Sequence, residues 1–484
     1  MRASVRRILV LALLLAALVG GGVADRLVSR TGPPASPSAL TGTVTAVAPV
    51  RAESSGWYCT GGTGAQGGAP ATVVLTNFGA RPQRATLSTV TALSSGSAPS
   101  AAAEAAPAQR VVIPAGGQVS VTPSQVGQGA LAAAVVVDGG GVTVSETVSS
   151  PLGWSMAPCA SSTAAQWYFA HGTTTQGGGL VLCLFNPGST DATVDVSLVT
   201  STAGVLAPPA YQGVDVPAHT LVTENVGDHV AQDPSVATVV SSLSGTVVAS
   251  ELQSFGSPGN GGIALTLGAP SPQAEWSFPQ NTDVTGGSVV FHVLNPSSRA
   301  ATVSVAIGLP KGAAAAPLSL SVPAQSTTTL QAQDVTRIPA NTPYALTFVS
   351  KGPPIVVARQ VTSPSGAPAS QPAQGEVPGV AGGDTRWLVP APTSPGSGAW
   401  AFALVDLAPK PAHVRVLDGA GRARSGQSTA LVEPGTPLLV GPNPPPPFGR
   451  APFQVISDEP VAVELDAVPV ASPGVVVVPS FTSR

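Results

Sequence analysis

One pattern recurs four times along this chain, and it limits the possible folds more than any other feature. A tryptophan leads each copy, at Trp57, Trp167, Trp276 and Trp387, with spacings of 110, 109 and 111 residues. A turn residue follows in step at Asn77, Asn186, Asn295 and Asp406, spaced 109, 109 and 111. Two later landmarks keep the same register. Pro114, Pro217, Pro323 and Pro434 end one strand, and Glu146, Glu251, Arg359 and Glu464 sit in a closing apolar run. Self-similarity at a fixed period is the signature of a repeat architecture.

Within each copy the period is two. Ala85 and Leu87, Val194 and Val196, Val303 and Val305, and Val414 and Val416 all lie eight and ten residues past the turn residue. Residues two apart on a strand share a face, so this is the buried face of every copy. Before the turn, Val73/Leu75, Leu182/Leu184, Phe291/Val293 and Phe402/Leu404 do the same. Between them stand Val74, Cys183, His292 and Ala403, a mixture expected on a solvated or partly covered face. Asn-Pro at Asn186-Pro187 and Asn295-Pro296 joins apolar runs as a tight turn.

Six or seven short alternating runs per copy, with no helix-period segment after the N-terminus, predict an all-β protein. The expected form is a tandem array of four immunoglobulin-like β-sandwich repeats of about 110 residues, following an N-terminal transmembrane or signal helix. A propeller blade would repeat at about 40–50 residues. The repeats are expected at 53–160, 161–272, 273–364 and 386–484, with 28–52 as a stalk and 365–385 as a Pro/Gly/Ala-rich linker that frees the fourth repeat. The tryptophan strand could open its own repeat or complete the preceding one.

Arg2, Arg6 and Arg7 precede an uncharged run at 8–24. Those residues as a helix reach about 26 Å, close to a hydrocarbon core, and the basic flank stays cytoplasmic. Residues 1–27 therefore read as a signal anchor leaving the remainder extracytoplasmic at the cell membrane; Gly22-Val23-Ala24 offers the alternative of cleavage and secretion. With 9% charged residues, net charge −3 and only Lys311, Lys351 and Lys410 as lysines, the chain lacks the basic face nucleic acid needs.

Three cysteines suit an oxidising compartment. Cys59 with Cys159 is the expected disulfide; the rival, Cys159 with Cys183, would staple the first junction between repeats. His171, His219, His229, His292 and His413 stand at no zinc-ligand spacing. Glu224, Asp228, His229 and Asp233 form the densest acidic stretch, but without the spaced oxygens of a calcium loop. The repeated Glu146, Glu251 and Glu464 are expected tens of Å apart on outer sheet faces, too far for a glycosidase pair. Residues 61–68 read as a glycine-rich hairpin loop that precedes a strand, not a phosphate-binding helix. The four tryptophans suit packing better than a sugar platform. Residues 441–448 hold four consecutive prolines, a polyproline loop. No catalytic, cofactor-binding or metal residues are expected.

The tryptophan strands, the Trp57-Tyr58-Cys59 opening and the Asn-Pro hairpins resemble the actinobacterial extracytoplasmic proteins grouped as domain-of-unknown-function family 5719. Asp406-Leu407-Ala408-Pro409 departs from the pattern, so the fourth hairpin loop is expected to differ. The resemblance implies an envelope-associated protein and brings no site residues with it. The expected function is a non-enzymatic scaffold or protein-interaction module of the bacterial envelope, with another envelope protein as partner; the alternative is binding of cell-wall polysaccharide or peptidoglycan.

Overall fold

The turn residue organises each copy from inside. In the computed structural model Asn186 Nδ2 donates to the carbonyls of Thr190 and Val216 at 2.8 and 2.9 Å, and its Oδ1 accepts from Gly188 N at 2.9 Å. Asn77 repeats this with Arg81, Ile113 and Gly79, and Asn295 with Arg299, Val322 and Ser297. Asp406 has no N–H to give. Its loop is built the other way round, with Oδ1 accepting from Ala408 N at 2.8 Å and Oδ2 from Ala412 N at 3.1 Å. All four side chains are buried. Asn186→Ala is expected to cost about 1–3 kcal/mol, because it strands the buried Val216 carbonyl and frees the turn held through Thr190 and Gly188; equilibrium urea unfolding measures it.

The structure describes residues 47–64, 68–92, 106–124, 129–257, 260–282, 286–310, 314–362, 374–393, 399–423, 429–440, 451–468, 476–478 and 480–482. They lie in the unit Gly42–Arg484. The fold is all-β, in several sheets whose facing arrangement fits β-sandwiches, and among the described residues the helical elements are short 3-10 turns. The anchor at 8–24, the stalk to residue 46 and the polyproline stretch fall outside the described residues. Among those residues, no helix is long and apolar enough to cross a membrane.

The same strand order occurs in four successive blocks. The tryptophan strands are Ser55–Thr63, Gln166–Phe169, Glu275–Thr282 and Asp384–Val389. Each pairs with the strand that precedes its block's closing strand: Ala130–Val137, Val236–Ser244, Pro343–Ser350 and the first part of Phe453–Val468. The tryptophan strand therefore opens its own block. The strands before the turns (Ala71–Asn77, Gly179–Asn186, Ser288–Asn295, Ala399–Asp406) lie in the second sheet. Their partners are the closing strands Val142–Ser150, Val248–Ser257, Val356–Thr362 and the second part of Phe453–Val468. A return strand then folds back on each closing strand: Gly153–Pro158, Asn260–Leu267, Gln374–Pro378 and Val476–Val478.

The blocks close into a ring. Each return strand contacts the next, and Val476–Val478 contacts Gly153–Pro158. Just after each return strand the chain adds a rung to the outer edge of the tryptophan strand it has left. The rungs are Ala160 on Tyr58, Ala269 on Tyr168, Val380–Ala381 on Ser277 and Trp276, and Phe481–Thr482 on Leu388 and Trp387. Cores run across the junctions too: Trp154, Met156 and Val74 join the fourth block's core, while Leu388 and Phe481 join the first's. Glycines permit the closest approaches. A Cβ on Gly262 would lie 1.9 Å from Gln374 O, and one on Gly308 would lie 1.9 Å from Gly435 O.

Two expectations change here. Part of the stretch expected as a linker is the return strand Gln374–Pro378, followed by Val380–Ala381, and it ties the third block to the fourth rather than freeing it. Gly61 and Gly62 belong to the first tryptophan strand rather than to a hairpin loop. The register shifts between Thr60 and Gly62, and Gly61 takes φ +119°, an extended bulge that favours glycine.

The junction of the fourth block with the first has no peptide connection. It is sealed instead by Phe481, fully buried edge-on to Trp57 with centroids 5.7 Å apart, and by Val47 N donating to Thr482 O at 3.1 Å. Phe481→Leu is expected to cost about 1–2 kcal/mol and to alter Trp57 fluorescence before global unfolding.

Candidate functional site

The ionisable side chains of the repeat converge on the block junctions. Arg359 pairs with Phe291 across the sheet and so points to the core face of the third block. It crosses the mouth of that core beneath the tryptophan strand, where Nη1 donates to Gln280 O and, at 2.9 Å, to Asn281 Oδ1. Its Nη2 reaches into the fourth block, to Glu464 Oε1 at 2.5 Å and near Asp466 Oδ1 at 3.7 Å. The guanidinium also lies 5.7 Å from the centroid of the Phe278 ring, a cation–π contact. Glu464 Oε2 accepts from Gln280 N at 3.2 Å. Burial pushes the Asp466 carboxyl well above its usual range, Glu464 beside it adds to this, and Arg359 opposes it. Burial disfavours the charge on Arg359, but Glu464 and Asp466 outweigh that and hold the proton more firmly.

At the junction of the second and third blocks His171 Nδ1 meets Glu376 Oε2 at 2.8 Å, and the His171 and His292 rings stack at 3.6 Å. Burial lowers His171 to about 4. Burial, and then His171, pulls His292 well below its usual value, while burial raises Glu376 and Glu251 well above theirs. Burial therefore disfavours the charged form of both partners in the His171–Glu376 contact. His171 Nε2 and both nitrogens of His292 are buried and make no hydrogen bond of full geometry, although the Pro234 backbone and the Gln360 side chain are in range of His171 and His292.

Between the first and second blocks Thr60 Oγ1 donates to Ser250 Oγ at 2.6 Å, and Ser250 Oγ donates to Thr60 O at 2.7 Å. Cys183 lies in this layer. Burial, with Glu146 and Glu251 nearby, pushes its thiol up to about 12, so it stays protonated and is no nucleophile. Glu146 is raised by burial to about 8, against the pull of the Gly62 and Thr60 backbone groups. A Cβ on Gly62 would lie 2.3 Å from Ala71 Cβ and 3.0 Å from Glu146 Oε1, so the glycine makes room for the carboxyl.

Glu146 and Glu251 sit opposite Val73 and Leu182 on the core face, which corrects the outer-face expectation for them. Glu464 sits opposite Ala403 on the outer face as expected, but the neighbouring block covers it. Glu146, Glu251 and Glu464 are 2, 3 and 4% exposed, and Glu464 touches the third block's Arg359. The face of Val74, Cys183, His292 and Ala403 is likewise buried, because the neighbouring block covers it. The sequence had to miss this: alternation tells which face is which, not what packs on the second face. Glu376 and Asp466 mark no landmark of the repeat; a lone acid amid the uncharged residues after 365 is the one signal for Glu376, and Asp466 has none.

The remaining landmarks are structural. A disulfide joins Cys59 and Cys159, and Cys183 is free and buried. Trp57, Trp167, Trp276 and Trp387 are at most 4% exposed and offer no platform for a sugar ring. The indoles of Trp167, Trp276 and Trp387 donate to Val247, Ile355 and Val461 carbonyls at 2.9, 2.7 and 2.8 Å. In the acidic stretch, Asp233 accepts from the hydroxyls of Ser201 and Thr202 at 2.7 and 2.6 Å and so ties a loop. Among the described residues no group of three or more His, Cys, Asp or Glu could hold a metal ion.

Residues 143–436, more than half of the chain, match the family of unknown function DUF5719, and the chain belongs to that family. No curated protein matches it. Among solved structures, Anabaena sensory rhodopsin transducer is 23% identical with a TM-score of 0.17, covering 18% of this chain and 88% of its own. Thermotoga maritima 1070 is 14% identical with a TM-score of 0.19, covering 23% of this chain and 95% of its own. A calcium-binding mutant of Bacteroides uniformis β-glucuronidase 2 is 11% identical with a TM-score of 0.12, covering 51% and 27%. Likenesses at these TM-scores carry no argument about function.

Proposed function

We propose that this DUF5719 member is a non-enzymatic scaffold of the actinobacterial cell envelope, built from four immunoglobulin-like β-sandwich repeats and tethered on the outer side of the membrane through residues 8–24. One observation carries the reading. Arg359 with Glu464 and His171 with Glu376 pair across block junctions, and Glu146 and Glu251 are buried as well, so the side chains best able to do chemistry lie inside the ring instead of facing a substrate. The Cys59–Cys159 disulfide supports an oxidising compartment. The mechanism is presentation: a rigid ring offers weakly charged sheet faces to another envelope protein.

Crosslinking in the native envelope, followed by identification of what is captured, tests this; the expected result is a defined protein partner. Retention on purified cell walls that free sugar competes away would instead establish a glycan-binding module and overturn the scaffold.

A further inference from the structure

The second and third blocks differ in one place that points to a ligand. From Asn186 to Pro217 the chain is three residues longer than from Asn295 to Pro323. In the second block the path includes the 3-10 turn Pro209–Tyr211, which drops Tyr211 between the edges of the two sheets. There Tyr211 is fully buried, its ring edge-on to His229 with centroids 4.4 Å apart and its hydroxyl donating to Asn225 O at 3.1 Å.

In the third block the strand Ala314–Val322 replaces that detour. The surroundings are otherwise kept. Gln331 pairs with Val290 as Asn225 pairs with Val181, and the 3-10 turns Val226–Asp228 and Ala332–Asp334 follow at the same point. By this register Val335 stands where His229 does. An open groove of about 480 Å³ occupies the place of the tyrosine, with Leu318, Leu320, Leu330 and Val335 as its apolar wall and Asp334 and Arg337 at its rim. Arg337 Nη1 is held by the carbonyls of Ala316 and Pro317 at 2.9 and 3.1 Å.

We propose that this groove is a binding site for a tyrosine-like side chain flanked by a carboxylate, supplied by an extended segment of a partner protein. The chain's own second block shows how a phenol ring fits between such sheet edges and where its hydroxyl goes. An aromatic ring buries a large apolar area at low entropic cost. Arg337, steadied through Nη1 by two carbonyls, has its Nη2 and Nε groups left to meet a carboxylate, for which a guanidinium fork is suited. The proposal deepens the scaffold reading by naming what the partner brings, and its test needs no partner.

The probes are acetyl-Tyr-Asp-amide and acetyl-Ala-Asp-amide, titrated into the full chain and followed through Leu and Val methyl resonances. Saturable shifts at Leu320, Leu330 and Val335 are expected with the tyrosyl peptide, with at least tenfold weaker binding of the alanyl one. Arg337→Gln, at an exposed position, is expected to weaken binding several-fold while the spectrum stays folded. Leu330→Trp is expected to fill the groove and abolish the shifts. No shift at these methyls up to about 10 mM peptide, a limit of very weak association, equal response to both peptides, or shifts confined elsewhere would overturn the site. Failure to capture a partner by crosslinking bears on the scaffold reading alone.

Discussion

Arg359→Met is expected to lower stability by about 3–5 kcal/mol at pH 7, the cost of leaving a buried charge without its partner. Methionine keeps the length and apolar contact of the side chain but removes the donors that reach Gln280, Asn281 and Glu464. Asp466 is pushed toward its protonated form, so the guanidinium chiefly answers Glu464. That predicts the rescue: Glu464→Gln placed on Arg359→Met should recover most of the loss, because a neutral amide replaces the stranded carboxylate. A double-mutant cycle by urea unfolding, followed by tryptophan fluorescence, isolates the pair. The loss should appear in the transition that separates or unfolds the third and fourth blocks. A single mutant within 1 kcal/mol of the parent would mean the junction is held by the close Gly308–Gly435 approach and apolar packing instead.

The same residue shows where reading the sequence stops. The strand pattern was legible because alternation and turn chemistry are local: Asn186 announces its hairpin through neighbours within four residues. Arg359 falls at the landmark that Glu146, Glu251 and Glu464 mark in the other repeats, and nothing local says what it meets. Its real partner, Glu464, is 105 residues away and belongs to the next block. Nothing in a strand's own period says that a second sheet's outer face will be covered by another copy of the fold. Likewise, a Pro/Gly/Ala-rich stretch reads as a linker on composition, yet Glu376 within it is buried against His171. The disulfide lies within one block, and Trp167, Trp276 and Trp387 each donate to a carbonyl of their own block, although the fourth block's Phe481 packs on Trp57. The candidate site belongs to the junctions, which exist only once the ring closes.

Glu146→Gln is expected to stabilise the chain by an amount that grows with pH. The Glu146 pKa rises from 4.5 to about 8 in the folded state, where burial disfavours the charge. Between those values the unfolded chain has released this proton while the folded chain still holds it, so stability falls as pH rises through the window and levels off above it. The full shift corresponds to roughly 5 kcal/mol as an upper bound. Glutamine keeps the shape, still fits beside Gly62, and has no proton to lose. The variant should match the parent near pH 4.5 and exceed it by several kcal/mol at pH 8. His171 has the opposite sign. Its pKa falls to about 4, so its contribution is present above pH 6.5 and lost as pH drops toward 4. The parent should therefore be most stable at mildly acidic pH, and Glu146→Gln should make the alkaline limb shallower, leaving the part that Glu251 and Glu376 contribute, with the acid limb in place. Thermal unfolding of both proteins from pH 4 to 9 measures this, and parallel curves would show that Glu146 is already ionised in the fold.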